Sequence, residues 1–168
     1  MENVLADLIN LIGQNMPEIR VVDEDYGQLE NLDQDGNWMY PLTFPAVLVE
    51  EQETAWSNIE GLNQKGDTSI RIRLLIDCYD DTHYTSGTLD KVMERMQMVK
   101  DLHKLIQGHR VSVDNESEDG VLIRSRSHFY TGNHGIKVYE LYYNTTVSDI
   151  VSVAERKKIT KVKITTLR

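Results

Sequence analysis

Asp77, Asp80, Asp81 and His83 crowd the metal-type side chains of this chain into residues 77–83. Carboxylates and an imidazole grouped in this way can hold a divalent ion, which in turn can polarise a water for hydrolysis. Polar residues also gather wherever a strand leaves a sheet, and no second ligand set at a diagnostic spacing follows. A second candidate is Asn31-Leu32-Asp33-Gln34-Asp35-Gly36-Asn37, the first half of a calcium loop, with oxygen donors at alternate positions and a glycine at the bend. Its second half fails. Leu42 stands where a bidentate Glu must close the site, and Pro41 precludes the exiting helix, so the stretch reads as an acidic turn. His83, His103, His109, His128 and His134 are scattered without a His-Glu-x-x-His pattern, and neither a Gly-x-Ser-x-Gly elbow nor a phosphate-cradling glycine loop occurs. The expectation is a protein with no catalytic residues, no cofactor and no resident metal. A small metal-dependent hydrolase using Asp77, Asp80, Asp81 and His83 stays open as the alternative.

The elements that position these residues centre on residues 67–108. Ile70, Ile72, Leu74, Ile76 and Cys78 alternate with Arg71, Arg73, Asp77 and Tyr79, the period of a half-buried strand. After a polar turn over residues 80–88, Leu89, Val92, Met93, Met96, Val99, Leu102, Leu105 and Ile106 recur at three- and four-residue steps and predict a long amphipathic helix. Thr88 suits its start and Gly108 its end. Val4, Leu5, Leu8, Ile9 and Ile12 predict a short N-terminal helix, with Asn3 as its cap and Gly13 as its stop. Residues 19–22 and 46–51 read as strands. Between them, residues 23–37 carry Asp23, Glu24, Asp25, Glu30, Asp33 and Asp35 with no Lys or Arg, which predicts a solvated loop. Residues 51–66 show no clear period and read as a long excursion bearing Trp56. The turn Gly132-Asn133-His134-Gly135 joins residues 121–130 and 136–147 into a hairpin.

The fold class expected is α+β: two layers, a mostly antiparallel sheet with the long helix packed on one face and the short N-terminal helix beside it. A length of 168 residues, 40% of them hydrophobic, suits one domain over residues 1–150. Residues 151–168 differ in kind. Arg156, Lys157, Lys158, Lys161, Lys163 and Arg168 make the end basic, and Ile159, Val162, Ile164 and Leu167 among threonines give it strand-like composition. It reads either as an arm that adds an edge strand to an acidic neighbouring copy, or as a terminal strand of its own sheet. The 27 acidic against 18 basic residues, a net charge of -9, argue against a protein that holds nucleic acid by its phosphates. Cys78 is the single cysteine, so no intramolecular disulfide forms, and its place in the apolar alternation predicts a buried thiol in a reducing compartment. No apolar run reaches the roughly 18 residues needed to span a bilayer, and the acidic N-terminus lacks a signal-peptide pattern.

Taken together, this succession resembles the phage tail-terminator and tail-completion family, the small ring-forming minor tail proteins that cap a tail tube beneath the head-tail connector. The likeness lies in element order: a helix over residues 4–12, a Pro-Ala-Val strand over 45–51, an aliphatic strand over 69–79, a long helix over 89–107 and a closing hairpin over 121–147. Residues 52–66 and 156–168 depart from it. The resemblance implies a homohexameric ring without catalysis that binds tail-tube and neck proteins, with DNA only as passing cargo. It also implies assembly in the host cytoplasm and a final place at the neck of the virion. On that reading the contacts fall to Arg156, Lys157, Lys158, Lys161, Lys163, Trp56, Asp33 and Asp35; a monomeric neck adaptor is a further alternative.

Overall fold

The structure, a computed structural model, describes residues 2–111 and 120–150. The expected arm at residues 151–168 therefore lies outside the described residues, and so do residues 114–119, whose Asp114, Glu116, Glu118 and Asp119 make a second acidic run in the sequence. Helix α1 (Glu2–Asn15) leads to strands β1 (Val21–Glu24), β2 (Ala46–Glu60) and β3 (Asn63–Asp77). Helix α2 (Asp90–Ile106), β4 (Ile123–Thr131) and β5 (Ile136–Asp149) follow, with one 3-10 turn, Asn133–Gly135, between the last two strands. The five strands form a mixed sheet in the order β1-β2-β3-β5-β4, in which β1 runs parallel to β2 and every other pair is antiparallel. The fold is α+β.

The alternation in β3 sets the first face. Ile70, Ile72, Leu74 and Ile76 pack with Val47 and Val49 of β2 and Leu141 and Tyr143 of β5 beneath Val4, Leu8 and Ile12 of α1 and Val99, Leu102 and Ile106 of α2. Helix α1 runs on through Gly13 to Asn15, beyond the expected stop. A glycine lowers helix propensity without forbidding helix, whereas Pro17 pushes Met16 out of the helical region and sets the real end. In α2 only the C-terminal half of the apolar stripe is buried: Val92, Met96 and Leu105 are half-buried, Leu89 is 50% exposed and Met93 65%. Thr88 does not cap this helix. Its hydroxyl donates to the carbonyl of Asp81, and Leu89 occupies the N-cap without a side-chain bond.

The second face departs from the two-layer expectation. Ala46, Leu48, Leu75, Ile136 and Val138 make a separate core under Leu29, Trp38, Leu42 and Phe44, which belong to the connection between β1 and β2. That connection is a third, irregular layer. Its apolar residues are too sparse to show a period, so charge dominated the reading of its first half.

The expected excursion at residues 51–66 is also corrected: β2 and β3 continue through it as one long hairpin that turns at Gly61-Leu62, paired from Ala46↔Leu75 out to Glu60↔Asn63. β5 pairs with β3 as far as Gln64↔Asp149. Beyond about residue 51 most of β2 is exposed, so period-two burial never marked the sequence as strand. The backbone ladder shapes it instead. Gly66 has a local purpose there, since a Cβ on it would meet Thr54 Cγ2 at 2.6 Å and Trp56 Cε3 at 3.0 Å. Cys78 sits half-buried just past the end of β3, with its N–H donated to the carbonyl of Gly135 at 3.2 Å, and is less enclosed than the alternation implied.

Candidate functional site

The strongest polar constellation in the described residues is one the sequence placed on a solvent face. Arg71 and Arg73 alternate with the core residues of β3 and point to the second face, where the connection between β1 and β2 covers them. Arg73 is 1% exposed. Its Nη2 lies 2.5 Å from Asp25 Oδ2, and its Nη1 pairs with Glu30. Arg71 pairs with Glu50 and lies 3.3 Å from Asp25 and 3.8 Å from Glu140. Glu140 also accepts from the hydroxyls of Tyr130 and Tyr142, at 3.4 and 3.1 Å. Burial opposes the charge of Arg73, but the hydrogen bonds of Glu30 and Asp25 outweigh it and hold the guanidinium's pKa above its ordinary value.

These cations are occupied by carboxylates at short range, so the cluster is a clamp and offers no ready anion site. It fastens the irregular layer to the sheet. Two local bonds shape its approach: the N–H of Gly27 donates to Asp25 Oδ1 at 3.2 Å, and buried Gln28 donates to the carbonyl of Glu24 at 2.7 Å. The only signal in the sequence is indirect: an acidic run without local cations, and two arginines at strand spacing more than 40 residues away.

The expected site residues separate. Asp33 Oδ1 accepts the N–H groups of Asp35 and Asn37 at 2.9 and 2.8 Å, and Gly36 takes a φ of +81°. The backbone bond from Asn37 is the main reason that the Asp33 carboxyl is held below its usual value. The stretch is a tight turn that presents Trp38 to the second core, while Asp33 and Asp35 remain exposed. At the other end of the chain's metal candidates, His83 Nδ1 lies 2.5 Å from Asp81 Oδ1, which lowers the Asp81 pKa, and Asp80 acts electrostatically on Lys91. Among the described residues no three His, Cys, Asp or Glu side chains converge to hold a metal. Trp56 stands 42% exposed on the outer part of β2, beside Ile59 and Leu62 at 60% and 56%. Arg156, Lys157, Lys158, Lys161 and Lys163 lie outside the described residues.

Geometry thus moves attention to the outer half of the sheet. β1 covers only the first residues of β2, Ala46 to Val49, and among the described residues no strand flanks residues 50–60 on that side. On the second face of this half, Glu53, Asp67, Ser69, Asn144 and Thr146 line an open groove of about 740 Å³. At the opposite edge β4 is exposed along almost its whole length, with the Arg126 guanidinium 4.0 Å from the centre of the Tyr142 ring.

A scan against protein-family models finds no match, and neither does a search of curated proteins. Among solved structures, the chain is similar to one from the virion of a native gene transfer agent particle, with 10% identity, a TM-score of 0.46 and 86% of each chain covered. No described helix is long and apolar enough to cross a membrane.

Proposed function

We propose that this chain is a structural assembly protein of a phage-like particle, a tail-terminator-type subunit that joins copies of itself into a ring between tail tube and neck. It works by contact, without catalysis or cofactor. The observation that carries the reading is the outer part of β2, residues 52–60, which is largely exposed and whose free edge no strand flanks among the described residues. An exposed sheet edge is a hazard for a monomer and a joining device for an assembly. The element order adds support, and a net charge of -9 suits a ring through which DNA slides without adhering. Partners on this reading are identical copies, tail-tube protein and neck protein; the site of action is the host cytoplasm during assembly and the virion neck afterwards.

Light scattering on the purified chain, with negative-stain images in the presence and absence of tube protein, tests the proposal. Closed rings, with six subunits as the resemblance implies, are the expected result. A strict monomer at high concentration that forms no ring with tube protein overturns it.

A further inference from the structure

Among the described residues no strand flanks residues 50–60 of β2 or the outer side of β4, and these two long edges carry opposite charge. Residues 51–60 of β2 include Glu51, Glu53 and Glu60 and no basic residue, whereas β4 includes Arg124 and Arg126 and no acidic one; Glu50 is paired with Arg71 and His128 lies 3.2 Å from Glu140. From the charge complementarity of these edges we infer that they are made for each other in successive copies: the outer part of β2 in one subunit pairs with β4 of the next. This inference rests on the ring reading and supplies its joint.

Direction and level both suit such a joint. Because β3, β5 and β4 each run antiparallel to the strand before them in the sheet, β4 runs opposite to β2. A copy rotated about an axis along the strands presents β4 antiparallel to β2 of its neighbour, so the ladder continues without a change of pattern. The levels are offset. Ile123 of β4 is level with Asn144, Ser69 and Glu53 across the sheet, and Thr131 with Lys137 and Ile76. β4 therefore spans the height of the part of β2 that β1 shields and of the first open residues, Glu50 to Glu53, while the rest of the open part of β2 lies farther out. Full pairing needs a stagger along the strands, and a sheet that closes on itself needs tilted strands with such a register shift. The contact joins two different surfaces of the same chain, so it propagates head to tail. The carboxylates meet the guanidinium groups at the join, which favours this pairing over two like edges meeting. Gln107 accepts the N–H of Arg124 at 3.0 Å and occupies only the start of β4.

Charge exchange in the full-length chain tests the joint. One variant carries Glu53→Lys and Glu60→Lys, and the other Arg124→Glu and Arg126→Glu. Each alone, with a native circular dichroism spectrum, is expected to lose the oligomer at least tenfold by light scattering. Mixed one to one, the two present only complementary edges and are expected to reassemble, which also controls for folding. Native oligomers from both variants alone, or two folded variants that stay apart on mixing, overturn the inference and leave the ring reading standing. Truncation after Asp149 is a second check, read only where the truncated chain keeps a native circular dichroism spectrum: retained oligomers support the strand joint, and their loss from the folded chain assigns the joint to the basic residues 156–168 instead. If the unaltered chain is monomeric even with tube protein, the ring reading fails and the joint fails with it.

Discussion

Strand β2 passes from Val49, fully buried, to Trp56, 42% exposed, without leaving the sheet. In the inner half both faces are covered, by helices on one side and the irregular layer on the other, so hydrophobic burial and the arginine clamp hold the strands together. In the outer half the ladder and cross-strand side-chain contacts do this work, among them the Thr54 to Thr68 hydroxyl bond of 2.7 Å and the Gln64 to Asn58 amide bond of 3.1 Å. The difference separates two tasks within one sheet. The inner half is covered on both faces; in the outer half the side chains of β2 from residue 52 onward are largely exposed, while Thr68, Thr145 and Val147 of the neighbouring strands stay buried.

Substitutions can break or sharpen this contrast. The largest expected effect is at Asp25→Ala, which leaves Arg73 enclosed with a half-satisfied guanidinium and should cost about 3–5 kcal/mol in chemical denaturation. A loss under about 1 kcal/mol would mean that the irregular layer is loosely held and the two halves are less different than described. Leu102→Ala, on the buried part of α2, should cost about 2–5 kcal/mol by the same measurement. Met93→Ala, on the exposed part of the same stripe, should change stability by less than about 0.5 kcal/mol; equal losses at the two positions would show that the whole stripe is seated. In the outer half, Trp56→Ala should leave the stability of the monomer within about 1 kcal/mol of native. A larger loss would make the outer ladder part of the folding core.

The smallest effect concerns pH. Burial, with Arg124 nearby, holds His103 below its ordinary value of 6.5, and its Nδ1 lies 3.0 Å from the hydroxyl of Tyr143. The unfolded chain therefore binds this proton more readily than the folded one, so the contribution is complete above 6.5 and is lost as pH falls through the lower folded value. The melting temperature should drop slightly over that window, and less so in His103→Gln. An identical pH profile in the variant would remove His103 from the balance.

Much of the inner half was legible beforehand. The alternation over residues 70–76, the stripe that includes Val99, Leu102 and Ile106, and the hairpin turned by Asn133-His134-Gly135 each announce themselves within a short window, because burial on one face imposes a period on neighbouring residues. The outer half was hidden for the opposite reason: strands exposed on both faces, such as residues 52–60, carry no burial period, and β3 and β5 supply the ladder from elsewhere in the chain. The site suffered likewise. Asp25 and Glu30 look like solvated acids until the connection folds back onto β3, more than 40 residues away, with sequence separations of 48 and 43 to Arg73.

By itself the sequence determined the local part of this protein: which residues form helix and inner strand, the acidic balance, the turn built on Asp33 and Gly36, and the arginines on the opposite face of β3 from Ile70 and Ile72. Only the tertiary structure decided that this opposite face is buried, that the acidic connection neutralises its arginines, and that β2 and β3 extend into an open ladder. Local patterns record what each residue does to its neighbours along the chain. Charge pairing and strand pairing depend on partners that meet only when the chain has folded, and the arginine clamp and the outer ladder are both of that second kind.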